Sequence, residues 1–241
     1  MNLTIDIGNT RCKYAIIEKS DIIEVRIESD ISLEHIREIV NNYPRVSKAI
    51  LSTVRQIDFL IISQLESMFD AFVLLTEDTK IPIENLYKTK NTLGKDRLAA
   101  VVGANNIFPN TNVLVIDLGT AITYDFINEN NQFMGGNISP GLEMRYKALH
   151  HFTRQLPLLE KENEFDLIAD HTKGAIISGV QNGIIFEIEG YINLFNQKFD
   201  ELIIILSGGD ANFFDKKLKN TIFVNSNLNL IGLNRILEFN T

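Results

Sequence analysis

Two short runs of this 241-residue chain end an apolar stretch with a carboxylate and follow it at once with a glycine turn. Asp6-Ile7-Gly8-Asn9-Thr10 comes after Met1-Asn2-Leu3-Thr4-Ile5, and Asp117-Leu118-Gly119-Thr120-Ala121 comes after Val113-Leu114-Val115-Ile116. Such a turn aims backbone N–H groups at an anion, while the carboxylate holds a cation or a water beside it. A single run of this kind can be an aspartate that merely shapes a turn at a strand end. Two of them, 111 residues apart, suggest related halves that close on one polyphosphate. Lys13, just past the first turn, is either a solvated strand residue or a point positive charge for a phosphate.

Between the two runs lies Gly94-Lys95-Asp96-Arg97. Asp96 in the first turn of a helix suits the helix dipole and by itself proves little. Arg97 at that end has the wrong sign, which makes sense if it faces an anionic ligand such as a carboxylate, gripped in bidentate fashion. Asp96 beside it can accept a proton from an attacking hydroxyl. Two glycine clusters, Gly135-Gly136-Asn137-Ile138-Ser139-Pro140-Gly141 and Ser207-Gly208-Gly209-Asp210-Ala211, read either as tight turns or as places where backbone approaches a nucleotide closely. The four histidines lack metal-ligand spacing, and no Gly-x-Gly-x-x-Gly, Walker-type or Gly-x-Ser-x-Gly run occurs. Nucleotide binding therefore falls to the paired aspartate–glycine turns.

The elements that must carry these residues follow from periodicity. Leu3–Ile7 reads as a buried strand, Cys12–Ile17 as its hairpin partner and Ile22–Ile27 as a third strand. Ser32 caps a helix over Leu33–Asn42. Ala49–Leu51 is a short strand, Ile57–Phe69 a helix and Phe72–Leu75 a further strand. Residues from Glu77 to Leu93 read as a polar loop, and Lys95–Ile107 as a helix. The order repeats with strands over Val113–Asp117, Ala121–Ile127 and Gln132–Ile138, helices over Leu142–Phe152 and Lys173–Phe195, and a strand over Leu202–Leu206 that leads into a short helix. The fold class is α/β, a duplicated ribonuclease-H-like arrangement with lobes expected over 1–112 and 113–241. A hydrophobic content of 45% suits a large buried core, and a net charge of -8 argues against a nucleic-acid surface. Cys12, alternating with Tyr14 and Ile16, is a core thiol that fits a reducing, cytoplasmic setting. Asp6 interrupts any leader-like apolar start, and no stretch has the length of a membrane span.

Taken together, Asp6-Ile7-Gly8-Asn9-Thr10-Arg11-Cys12-Lys13, Leu93-Gly94-Lys95-Asp96-Arg97, Asp117-Leu118-Gly119-Thr120-Ala121, Gly136-Asn137-Ile138-Ser139-Pro140-Gly141 and Gly208-Gly209-Asp210-Ala211 resemble the type III pantothenate kinases of the actin-like and sugar-kinase-like ATPase superfamily. The resemblance runs over nearly the whole chain, and the Gly-x-Asp-Arg element is not general to that superfamily. It implies a cytoplasmic homodimer with a nucleotide cleft between two lobes, which phosphorylates the primary hydroxyl of pantothenate with ATP, the first step of coenzyme A synthesis. It also implies Mg2+ and a monovalent cation, K+ or NH4+. Asp96 would be the proton acceptor. Asp6, Ile7, Gly8, Asn9, Thr10, Arg11, Cys12, Lys13 and Thr120 would contact ATP, with Asp6 the candidate ligand for the divalent ion and Asp117 for the monovalent one. Tyr87, Gly94, Lys95, Asp96 and Arg97 would bind pantothenate, Arg97 through the carboxylate, and Thr172 of the partner subunit would complete the pocket. Lys90 departs from the proline that the family commonly has after Tyr-x-x, which bears on the Tyr87 loop. A sugar kinase or a nucleotide-binding regulator on the same fold remains open at this point.

Overall fold

A computed structural model describes residues 1–241. Contacts between Cα atoms divide the chain into two units, one comprising Met1–Asn110, Asn131–Met134 and Asn227–Thr241, the other Thr111–Asn130 and Gly135–Ser226.

The first unit opens with strands β1 (Asn2–Ile7), β2 (Cys12–Glu18) and β3 (Asp21–Glu28), then helix α1 (Leu33–Asn42), strand β4 (Lys48–Thr53), helix α2 (Phe59–Met68) and strand β5 (Ala71–Leu74). Its sheet has the order β3-β2-β1-β4-β5. The hairpin strands are antiparallel, and β4 and β5 run parallel to β1 and to each other. The central strand β1 is covered on both faces, so Thr4 and Asp6 are buried along with Leu3, Ile5 and Ile7. Ser32 caps α1 as expected, its hydroxyl accepting from the His35 N–H at 3.3 Å, and Ile36 and Ile39 are buried on the core side.

The chain continues through a two-residue strand β6 (Glu84–Asn85), a 3-10 turn at Lys90–Thr92 and helix α3 (Lys95–Ile107). Next come β7 (Val113–Leu118), β8 (Ala121–Ile127), β9 (Gln132–Pro140), α4 (Leu142–Phe152), α5 (Thr172–Lys198), β10 (Ile203–Ser207), α6 (Ala211–Asp215), β11 (Phe223–Val224) and α7 (Leu228–Asn240). The second sheet runs β11-β10-β7-β8-β9, with β6 paired to the first residues of β9. That order, helices aside, repeats β5-β4-β1-β2-β3, so the duplication is visible in the strand connectivity. The core of the second unit sets Leu114, Ile116 and Leu118 of β7 against Ile177, Ile184, Ile188 and Ile192 of α5. The stretch between α4 and α5 has no regular element. It is tied down by the buried Gln181, whose amide exchanges two 2.9 Å hydrogen bonds with the Glu162 backbone and accepts from the Tyr146 hydroxyl at 3.0 Å.

The lobe boundary differs from the one expected at 112/113. The C-terminal helix α7 packs with the first unit, not the second, because Gly232 of α7 and Gly103 of α3 let the two helices touch backbone to backbone. A Cβ on Gly232 would lie 1.8 Å from the Ala99 carbonyl oxygen, and one on Gly103 would lie 2.3 Å from that of Leu228. Leu230 of the same helix joins Ala15 and Ile17 of β2 in a buried cluster.

Candidate active site

In the first unit, β1 delivers Asp6 to the start of the glycine turn. The register of the sheet sets Lys13 of β2 on one side of Asp6 and Ser52 of β4 on the other. Directly paired residues point to the same face, so ammonium, carboxylate and hydroxyl share one side of the sheet. Gly8 N–H donates to the Arg11 carbonyl at 3.0 Å and closes the turn, which puts exposed Asn9, Thr10 and Arg11 at its tip. Ile7 and Cys12 are buried beneath it.

Asp6 is 8% exposed, and burial is the main force raising its carboxyl above the ordinary range. Asn229 of α7 opposes this by donating from Nδ2 to Asp6 Oδ2 at 3.4 Å, whereas the nearby negative charge of Asp96 adds to the rise. Lys13 lowers it, and so does Ser52, although neither Ser52 Oγ nor Asp6 Oδ1 has a partner in hydrogen-bonding geometry. Asp6 and Asp96 thus feel each other within one unit.

Gly94 is the N-cap of α3, with Lys95 and Asp96 in the first turn. Asp96 Oδ1 accepts from the Arg97 backbone N–H at 2.8 Å, which fixes the carboxylate at the helix start. A Cβ at Gly94 would fall 2.5 Å from that Asp96 oxygen, so glycine clears the space the carboxylate occupies. Arg97 is buried, and its guanidinium lies 5.4 Å from the centre of the Tyr87 ring. Tyr87 in turn stacks on Phe133 at 6.0 Å. The structure therefore brings Tyr87 and Arg97 together, a contact that no sequence spacing revealed. Lys90 opens the 3-10 turn before α3, closed by Thr92 N–H to the Thr89 carbonyl at 3.0 Å and by a 2.9 Å bond between the two threonine hydroxyls.

In the second unit, β7 delivers Asp117. Thr123 of β8 and Ser207 of β10 flank it in register, so a hydroxyl-bearing residue stands on either side of the carboxylate. Gly119 N–H donates to the Ala121 carbonyl at 3.1 Å and closes this turn as Gly8 closes the first. Thr120 is exposed at the tip, and its carbonyl accepts from Gly141 N–H at 3.1 Å. One glycine from each cluster packs here. A Cβ on Gly141 would meet the Gly119 oxygen at 2.3 Å, and one on Gly208, whose φ is +90°, would meet the Leu118 carbonyl at 2.5 Å. At these two glycines the close approach is to the backbone of the second turn, whereas Gly136 lies against the Tyr124 carbonyl of β8. Thr172 is the exposed first residue of α5. A cavity of about 340 Å³ beside it is lined by Glu162, Glu164, Asp166, Asp170, His171 and Lys173 among others, an acidic wall ill suited to a carboxylate.

Sequence reasoning missed Ser52 and Asn229. Ser52 ends the apolar run Ala49-Ile50-Leu51, a faint signal, and Asn229 sits in an asparagine-rich stretch that matches no motif.

The sequence profile described as type III pantothenate kinase matches residues 2–194. The chain belongs to this family. Relatives of that name align along the full chain. The protein from Bacteroides fragilis is 46% identical over 240 residues, covering 100% of this chain and 98% of its own. That from Christiangramia forsetii is 44% identical over 242 residues, covering 100% and 99%. Among solved structures, a conserved protein of the Baf transcriptional-activator family from Campylobacter jejuni superposes with a TM-score of 0.64 at 22% identity, over 99% of this chain and 98% of that one. A glucokinase from an Antarctic psychrotroph gives 0.56 at 13% identity, over 99% and 98%. At these identities the structures show a shared fold, one that this chain has in common with a sugar kinase.

Proposed function

We infer that the protein transfers the γ-phosphoryl group of ATP to the primary hydroxyl of pantothenate, opening coenzyme A synthesis. Family membership supports this reading. The observation that carries it in the structure is the start of α3, where Asp96, fixed by the Arg97 N–H, adjoins a buried guanidinium faced by Tyr87 and lies within electrostatic reach of Asp6 at the phosphate turn.

Each residue then has a task. Arg97 takes the pantothenate carboxylate, with Tyr87, Gly94 and Lys95 around it. Asp96 Oδ2 receives the proton of the substrate hydroxyl as that oxygen bonds to the γ-phosphorus. The bond to the β-bridging oxygen breaks, and ADP leaves with the electron pair. There is little else for the protein to do chemically, so positioning and electrostatics dominate. The N–H groups of Asn9, Thr10 and Arg11 and the Lys13 ammonium meet the phosphates, and Thr120 serves the same nucleotide.

The buried, unpartnered oxygens of Asp6 and Ser52 form a hard donor set that suits magnesium and not a soft metal. Asp6 is the ligand we assign to it, and when bound with ATP the ion neutralises phosphate charge. Asp117, with Thr123 and Ser207 paired to it in register, offers a carboxylate between two hydroxyl-bearing residues, hard oxygen donors of the kind that suit a monovalent cation such as K+.

The exposed face of α5 supports a homodimer. Gly179 and Gly190 have open space where a Cβ would stand, and on the same stripe Phe186 is 56% and Leu194 63% exposed. Glycines beside large apolar side chains let a second helix approach closely, and Thr172 at the start of this helix is then available to the partner's pocket. A cytoplasmic setting agrees with a lone free cysteine and with a structure in which no helix is long and apolar enough to cross a membrane.

A coupled assay of ADP release with pantothenate, run with and without potassium, tests the function. Absence of pantothenate-dependent turnover would overturn it, and undiminished turnover in Asp96→Asn would remove Asp96 from the proton-accepting role. A hexose panel checks the sugar-kinase alternative, because a hexose offers Arg97 no carboxylate.

A further inference from the structure

We propose that Asn229, on the C-terminal helix, is a positioning residue that holds the Asp6 carboxylate for the phosphate donor. The proposal rests on the reading that Asp6 serves ATP. Asn229 lies in the first turn of α7, yet no side chain caps that helix, so its amide is not spent on the helix end. Its Nδ2 donates instead to Asp6 Oδ2 at 3.4 Å, a long bond of the kind that tightens when a ligand draws the group into place.

Around that bond, three polar atoms are buried and unpartnered: Asp6 Oδ1, Asn229 Oδ1 and Ser52 Oγ. The serine hydroxyl has one proton to give, and the two others are pure acceptors. However the hydroxyl turns, one buried acceptor stays unpaired, which is costly unless something outside the chain completes the set. A spot built this way has hydrogen-bonding capacity left for a bound group.

The helix that carries Asn229 is also the one that positions the acceptor side. The backbone contact of Gly232 with Ala99 and of Gly103 with Leu228 locks α7 onto α3. The first turn of α3 holds Asp96, and the first turn of α7 holds Asn229. One rigid helix pair therefore sets where the Asp6 carboxylate is gripped and where the proton acceptor stands.

Asn229→Leu keeps the size of the asparagine and removes the donor. The kcat/KM for ATP should then fall by about tenfold or more, as for a hydrogen bond to a charged group, while KM for pantothenate stays within about twofold. Calorimetric titration of a non-hydrolysable ATP analogue should show the same loss. An unchanged kcat/KM for ATP, or a rise in KM for pantothenate as large as the loss for ATP, would overturn the proposal. So would a leucine penalty that persists undiminished in an Asp6→Asn background, because the effect would then not pass through Asp6. If Asp6→Asn alone keeps native kcat/KM for ATP, it is the assignment of Asp6 to the phosphate donor that fails, and the proposal falls with it. Should the leucine not fold, Asn229→Ala poses the same question at smaller volume, and the same outcomes would overturn the proposal.

Discussion

Gly232→Ala is the substitution whose cost can be worked most directly from the geometry. On a solvent-facing helix the change would stabilise by about 1 kcal/mol, since alanine is the better helix former. Here the new methyl would stand 1.8 Å from the Ala99 carbonyl oxygen and 2.8 Å from the Gly103 nitrogen. Neither is the far end of a flexible side chain, so α3 and α7 must part. Ordinary contact begins at 3.4 Å, which demands an opening of about 1.6 Å at the crossing. That opening loosens a seam in which Ala99 and Leu228 are fully buried. Overpacking of a tight core costs roughly 1–3 kcal/mol, and separated apolar surface adds to it, so a net loss of about 2–4 kcal/mol is expected. For a domain of this size that lowers Tm by roughly 5–15 °C. Activity should fall too, at temperatures where the variant is fully folded, because the same crossing carries Asp96 and Asn229. Thermal melts followed by circular dichroism and the coupled ADP assay measure both. A variant that melts at or above the native temperature with native kcat would refute the backbone-contact reasoning and the role given to the helix pair.

Arg97→Met keeps much of the buried stem and removes the charge. KM for pantothenate should rise by about tenfold to a hundredfold with KM for ATP unchanged, as steady-state kinetics on each substrate would show. Arg145→Met tests the polar network behind the second turn, where Arg145 bonds to Glu187, to Ser139 Oγ at 2.9 Å and to the Pro140 carbonyl at 2.8 Å, and the Tyr124 hydroxyl donates to Glu187 at 3.0 Å. Burial pushes the Glu187 carboxyl up, but the bonds from Arg145, Ser139 and Tyr124 outweigh it and hold it below the ordinary value. A lowered folded-state pKa stabilises above the unfolded value of about 4.3, and that contribution is lost as pH falls through the folded value. In the methionine variant burial acts against one fewer partner. Urea melts should therefore show a deficit of about 1–3 kcal/mol at pH 7 that narrows as pH drops toward 4, and a deficit independent of pH would contradict this account. Phe186→Asp should leave the secondary structure intact and yield a monomer by light scattering, while an unchanged oligomeric state would move the interface off this face of α5.

How much of the site was legible in the sequence depended on how local its contacts are. The hairpin of Asp6 and Lys13 was readable because an apolar run, a glycine turn and a second apolar run leave one register, and the structure pairs those two residues directly. The start of α3 at Lys95 was readable from Gly94 and the alanine-rich helix behind it. The glycine clusters were visible as turns, but their partner, the backbone of residues 118–120, was not. Tyr87 and Arg97 meet across a turn whose path depends on the stacking of Tyr87 on Phe133.

The sequence by itself determined the two aspartate–glycine turns, the acidic helix start between them and, through these, the family. Each of those rests on neighbours a few residues apart, where turn chemistry and periodicity leave little choice. Only the tertiary structure decided that α7 packs with the first unit, and that an asparagine 223 positions away grips Asp6. No periodicity reaches across such a separation. That contact depends on two glycines, Gly103 and Gly232, which in the sequence are unremarked residues inside helices. In the fold they are the only residue type that lets the helices come close enough for Asn229 to arrive.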